Sequence, residues 1–158
     1  MDKTDTARQR RRRNVAIKHS LRELSIQLSL LDRNISAHLD LKGVDLDCLD
    51  IIALHGPLSP SALARQAGLH PATMTGVLDR LERGRWVART RDPSDRRAVV
   101  VRILSERSAE LMHFLSGMNA LMDQIFAGYG DAELDLIADF LQRAANAGQR
   151  ATEELARD

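Results

Sequence analysis

The sequence predicts a mainly α fold with one small β-hairpin, in which long helices at both ends enclose three short ones. Three observations predict it. Apolar residues recur at alternating spacings of three and four along residues 15–39 and again beyond 105. Glycines and prolines interrupt 43–84 at short intervals. After Gly84 the hydrophobic period changes from 3.6 to 2, over two stretches only.

Each element follows in order. Residues 1–13 are polar, with arginines at 10–13, and read as a basic flexible arm or the frayed start of a helix. The first helix occupies the 14–43 region, its apolar positions at 17, 21, 24, 28, 31, 35 and 39, and Gly43 ends it. GVDLDCLDIIALHGP predicts a second helix. Asp45 is the expected N-cap, Val44 and Leu49 the staple, and Gly56 with Pro57 the stop. In LSPSALARQAGL, Ser59 caps, Pro60 takes the first helical position, Leu63 and Ala64 face inward, and Gly68 breaks the helix. HPATMTGVLDRLERG gives a further helix with Pro71 near its start, Met74, Val77, Leu78 and Leu81 on one side, and Gly84 at its end. WVARTR is a strand, DPSDR a turn and RAVVVRIL the returning strand. Ser105 can cap a helix over about 106–127, GYGD breaks it, and a last helix runs over about 132–155.

Composition bounds what such a chain does. Its 158 residues suit one domain, or one small domain with appendages. With 44% hydrophobic but only 3% aromatic residues, the core must be Leu, Ile, Val, Ala and Met. No 18-residue stretch is both apolar and uncharged, so no membrane partner is expected. The basic N-terminus lacks the apolar run of a secretory signal, and the single Cys48 fits a reducing compartment. A cytoplasmic location is therefore expected.

Net charge is only +1, yet its distribution is uneven. Residues 80–102 carry eight arginines (80, 83, 85, 89, 91, 96, 97, 102) against Glu82, Asp92 and Asp95. Residues 131–158 carry seven acids against Arg143, Arg150 and Arg157. A polyanion-binding protein needs such an asymmetry. No nucleotide-binding glycine motif, H-E-x-x-H or triad is present, so no catalysis and no cofactor are expected. Histidines 19, 38, 55, 70 and 113 form no ligand cluster, so no metal is expected. Cys48 falls near the start of the second helix, where a thiol pKa is lowered, but Asp45, Asp47 and Asp50 oppose that by like charge. A redox role for Cys48 stands against a merely structural one.

The third and fourth helices, joined through AGL, have helix-turn-helix form, which any pair of antiparallel helices can mimic. The fourth displays His70, Thr73, Thr75, Gly76, Asp79 and Arg80, and the small Pro71 and Ala72 would let its tip press into a major groove. The hairpin beside it reads as a wing tipped by DPSDRR. The candidate DNA contacts are His70, Pro71, Thr73, Met74, Thr75, Gly76, Arg80, Arg91, Arg96 and Arg97. Asp95 and Arg97, two apart, are assigned to brace the wing against the fourth helix through Arg80 or Asp79. The plainer alternative is a surface helix with polar caps and a solvated turn. Trp86 either packs the root of the wing or lines a ligand pocket. Met112, Met118 and Met122 mostly belong to an apolar face for core or dimer packing.

Residues LSPSALARQAGLHPATMTGVLDRLERGRWVARTRDPSDRRAVVVRIL resemble the winged helix-turn-helix of the MarR family of transcriptional regulators. Leu81, Glu82, Gly84, Asp95, Arg97 and Leu104 occupy the family's pattern positions, with Ser105 where the family has threonine. The resemblance implies a winged helix-turn-helix DNA-binding lobe over 44–104, flanked by N-terminal (14–43) and C-terminal (105–158) dimerisation helices. It implies a homodimer on a pseudo-palindromic site in double-stranded DNA, most often a repressor released by a small aromatic or phenolic effector. A ligand-independent or activating regulator is one alternative, and a winged module used only for protein contact is another. Gly76 and the Arg85–Trp86 pair depart from the family pattern.

Overall fold

The computed structural model describes residues 3–95 and 97–155. Their order is α1 (Lys3–His38), α2 (Gly43–His55), α3 (Pro60–Gln66), α4 (Pro71–Arg83), β1 (Val87–Arg91), β2 (Val99–Ile103), α5 (Ser105–Phe126) and α6 (Asp131–Leu155). The fold is mainly helical with one small antiparallel hairpin. The chain divides into two units, 1–46 and 47–158.

The first unit is α1 and its turn into α2. From Lys3 onward the backbone expected to be a flexible arm or the frayed start of a helix is helical. The reason is local: residues 3–14 contain no glycine or proline, and alanine, arginine and glutamine propagate a helix well. Ile35 and Leu39 are buried, whereas Val15, Ile17, Leu24 and Ile26 are exposed. Asp40 adopts φ 53°, and Leu41 N–H donates to Ser36 O at 2.9 Å, ending α1 in a left-handed turn. Asp45 is not the N-cap of α2. The helix starts two residues earlier, and Asp45 lies buried in its first turn.

In the second unit α3 packs on α4 and β2, and α4 packs on β1. Cap chemistry sets the start of α3, where Ser59 Oγ accepts from Ala62 N–H at 3.2 Å and Pro60 takes the first position. Leu63, Ala64, Met74, Val77, Leu78 and Leu81 are buried. Each large side chain among them contributes about 1.5–3 kcal/mol of hydrophobic stabilisation. The strands pair from Val87 opposite Ile103 to Arg91 opposite Val99. Leu58, in the loop before α3, extends this sheet by one residue. Its N–H and C=O both bond Val101, at 3.2 and 2.7 Å, and tie the wing to the helix-turn-helix. Ser105 does not cap α5. Leu104 holds the cap position with no side-chain bond, and Ser105 is already helical.

The ends of α3 and α4 follow one pattern with different residues. After α3, Gly68 is left-handed (φ 64°), and Leu69 N–H bonds Ala64 O at 2.8 Å. After α4 the left-handed residue is Arg85 (φ 58°), not the glycine. Arg85 N–H bonds Glu82 O and Trp86 N–H bonds Leu81 O, both at 2.9 Å. Gly84 is there for space. A Cβ on it would stand 2.8 Å from Trp86 Cδ1. Trp86 is buried beneath it, so packing of the wing root is the reading the structure favours.

Two substitutions separate these roles. Gly84→Ala should destabilise by about 1–3 kcal/mol, because Trp86 must leave its place. Arg85→Gly should stabilise by about 0.5–1 kcal/mol by relieving the left-handed side chain. Urea unfolding checks both, and a silent Gly84→Ala would contradict the packing argument.

Candidate nucleic-acid interface

The side of α4 away from the core carries the candidate contacts. His70 is its N-cap, with Nδ1 accepting from Ala72 N–H at 3.3 Å. That bond leaves the other ring nitrogen to carry the proton. His70, Pro71, Thr73 and Thr75 are exposed. The Thr75 hydroxyl donates back to Pro71 O at 3.1 Å, which leaves its methyl as the outward apolar group. Gly76 follows one turn after Ala72, and the Arg80 guanidinium lies along the helix over it, 3.8 Å from where a Cβ would be. The helix tip therefore presents short side chains, with one long cation a turn behind. Met74 is a correction. It is 1% exposed, with Val77, Leu78 and Leu81, and belongs to the core rather than to a DNA contact.

A cleft of about 370 Å³ runs beside the helix, lined by Pro60, Ser61, Pro71, Met74, Thr75, Leu78 and Arg89. Arg89 forms its β1 wall and carries the brace that the sequence reading assigned to Asp95 and Arg97. One Arg89 nitrogen bonds Asp79 Oδ1 at 2.9 Å and another bonds Glu82 Oε2 at 2.8 Å. Its backbone N–H donates to Glu82 Oε1 at 3.0 Å. β1 is thus fixed to α4 by three bonds through one residue. Among the described residues, the Asp95 side chain bonds within the turn, where its Oδ1 accepts from Arg97 N–H at 2.9 Å. Sequence reasoning missed Arg89. The available signals were strand alternation, which puts residues 87, 89 and 91 on one face, and two carboxylates three apart on a helix, which want one cation.

The turn is built on Asp92, the aspartate that opens the expected DPSDR turn. Its Oδ1 accepts from Ser94 N–H at 2.7 Å, Ser94 Oγ–H at 2.6 Å and Asp95 N–H at 3.4 Å. These bonds, the Ser94 hydroxyl first, hold its carboxyl below the ordinary 3.8. With the tip so ordered, Arg91 at the end of β1 and Arg97 beyond the turn are exposed. Arg96 lies outside the described residues.

Cys48 is fully buried, which favours the structural role over the redox one. Among the described residues, no group of three His, Cys, Asp or Glu side chains could hold a metal. Among them also, no helix is long and apolar enough to cross a membrane.

Arg89→Met should lower stability by about 1–2 kcal/mol, since Asp79 and Glu82 then face each other unpaired but partly solvated. Arg97→Met should lower it by less than about 0.5 kcal/mol. Equal losses in thermal unfolding would return the brace to the turn. The Asp92 bonds favour its charged form, so their stabilisation is complete above pH 3.8 and is lost as pH falls through the lower folded value. Carboxyl NMR should find Asp92 titrating below 3.8, and Ser94→Ala should raise it. An unchanged titration would contradict this account of the turn.

Comparison with known proteins agrees with this geometry. A family model described as MarR family matches residues 43–99, from the start of α2 to the start of β2. The uncharacterized HTH-type transcriptional regulator YcgE of Bacillus subtilis is 30% identical over 134 residues, covering 85% of this chain and 87% of that protein. The HTH-type transcriptional repressor YetL of the same organism is 33% identical over 84 residues, 53% of this chain and 50% of its own. A MarR family protein from Bacillus stearothermophilus shares the fold at TM-score 0.64 and 20% identity, covering 86% of this chain and 95% of that one. The chain belongs to the MarR family of winged helix-turn-helix transcriptional regulators, DNA-binding proteins and not enzymes.

Proposed function

We propose that the chain is a homodimeric repressor that reads a pseudo-palindromic site in double-stranded DNA. One observation carries this: α4 exposes His70, Pro71, Thr73 and Thr75, the hairpin exposes Arg91 and Arg97, and Arg89 holds the two elements together. The helix tip enters the major groove, where threonine methyls meet thymine and hydroxyls meet base edges or phosphates. Arg91, Arg97 and Arg96 serve the backbone and the adjacent minor groove.

The second copy is argued from apolar surface. Ile17, Leu24 and Ile26 on α1, Leu121, Ile125 and Phe126 on α5, and Leu136 and Phe140 on α6 are all exposed large apolar side chains, which a second copy would cover. A two-fold dimer covers them and sets two copies of α4 about 34 Å apart, one turn of DNA. Repression rather than activation is supported by the similarity to YetL, a repressor by name. Release by a small aromatic or phenolic anion belongs to the same family reading.

Selection of bound duplexes from a random pool tests the proposal. It should enrich an inverted repeat, and footprinting should show two half-sites about one turn apart. Arg91→Ala and Arg97→Ala should each reduce the salt slope of binding by about 1. Gly76→Ala should stabilise the protein by about 1 kcal/mol while weakening the selected site. Failure to enrich any duplex would favour a protein-contact module. A single half-site bound by a monomer would remove the dimer, and addition of aromatic acids to the bound complex tests release.

A further inference from the structure

We infer that Arg107 is a positioning residue for the recognition helix, clamping Trp86 so that α5 sets the lie of α4. The inference rests on the DNA-binding reading above and adds how that site is controlled. The Arg107 guanidinium carbon lies 4.0 Å from the centroid of the Trp86 ring. That ring is 2% exposed, and its Cδ1 would stand 2.8 Å from a Cβ at Gly84, the residue that closes α4. Trp86 is also bonded in both directions along the backbone. Its N–H donates to Leu81 O in α4, and its C=O accepts from Leu104 N–H at the cap of α5, both at 2.9 Å. Trp86 is thus a single rigid plate between two helices, with Arg107 on its α5 side.

Arg107 is itself held in place. Its Nη1 pairs with Glu110 one turn on. Its Nε is buried and finds no hydrogen-bond acceptor among the described residues. A desolvated N–H without an acceptor is unfavourable, so the stack on an electron-rich ring must offset it. A surface arginine free to move would turn that N–H to water. The far end of α5 exposes Leu121, Ile125 and Phe126, the surface assigned above to the second copy. A tilt of α5 imposed there moves Arg107 and Trp86, and through Gly84 it turns α4. Two sites become coupled when a common element is biased by both.

Trp86 is the only tryptophan in the chain, so its fluorescence reports the surroundings of this one ring. The test uses the full chain, the selected duplex and a random duplex, with Arg107→Met, Arg107→Lys, Glu110→Gln and the exposed control Arg143→Met. Arg107→Met should shift Trp86 emission, speed amide exchange at Arg85 and Trp86, and reduce the ratio of selected-duplex to random-duplex affinity about tenfold. Arg107→Lys, which keeps a cation over the ring, should recover part of that ratio, Glu110→Gln should move it the same way by less, and Arg143→Met should leave it alone. An unchanged ratio with shifted emission would overturn the positioning role, and unchanged emission would overturn the stack. Should Arg107→Met not fold, Glu110→Gln decides by the same two readouts. A wild-type protein with no duplex preference would refute the DNA reading instead, and amide exchange in Arg107→Met would still decide whether α5 holds the end of α4.

Discussion

One guanidinium, that of Arg89, joins the wing to α4 through its side chain. Asp79 and Glu82 lie three residues apart on α4, close enough to repel, and Arg89 from β1 bonds both. Each contact, at a third to a half exposed, would be weak alone. Together they order one side chain, and the Arg89 backbone N–H adds a third bond to Glu82. Strand alternation then puts Arg91 on the same face one residue pair farther out.

The basic stretch 80–102 is therefore less uniform than its eight arginines suggest. Arg89 is neutralised, Arg85 faces Glu106 at 3.1 Å, and Arg83 Nε donates to Asp79 O at 3.1 Å. Arg91, Arg97 and Arg102 remain exposed on the ribbon. A long-range field counts all of them, which suits steering toward a polyanion, but contact at close range falls to those left on the outer surface.

Much of this was legible in the sequence. Local rules sufficed where the cause was local: Ser59 and Pro60 start α3, the 74, 77, 78 and 81 positions fill the core, and DPSD makes the turn. Elsewhere the cause lay across the fold. Nothing adjacent to Arg89 marks it as the brace, because its partners are seven and ten residues back on another element. Gly84 was readable as a helix end but not as room for Trp86. Leu58 joins the sheet through a single residue, too short to carry a period. Met74 lies close to the helix tip, which suggested DNA contact, but its burial agrees with the apolar spacing it shares with Val77, Leu78 and Leu81. At the start of α1 the run of arginines left arm and helix both open, and helix propensity decides for the helix.

The division of labour among the arginines is the central claim, and guanidinium NMR of the protein with and without its selected duplex tests it most directly. The account predicts that Arg89 shows slowly exchanging side-chain protons in the free protein and keeps its shifts on binding, while Arg91 and Arg97 change theirs. Arg89 resonances that move on DNA addition, with Arg91 and Arg97 unmoved, would contradict it.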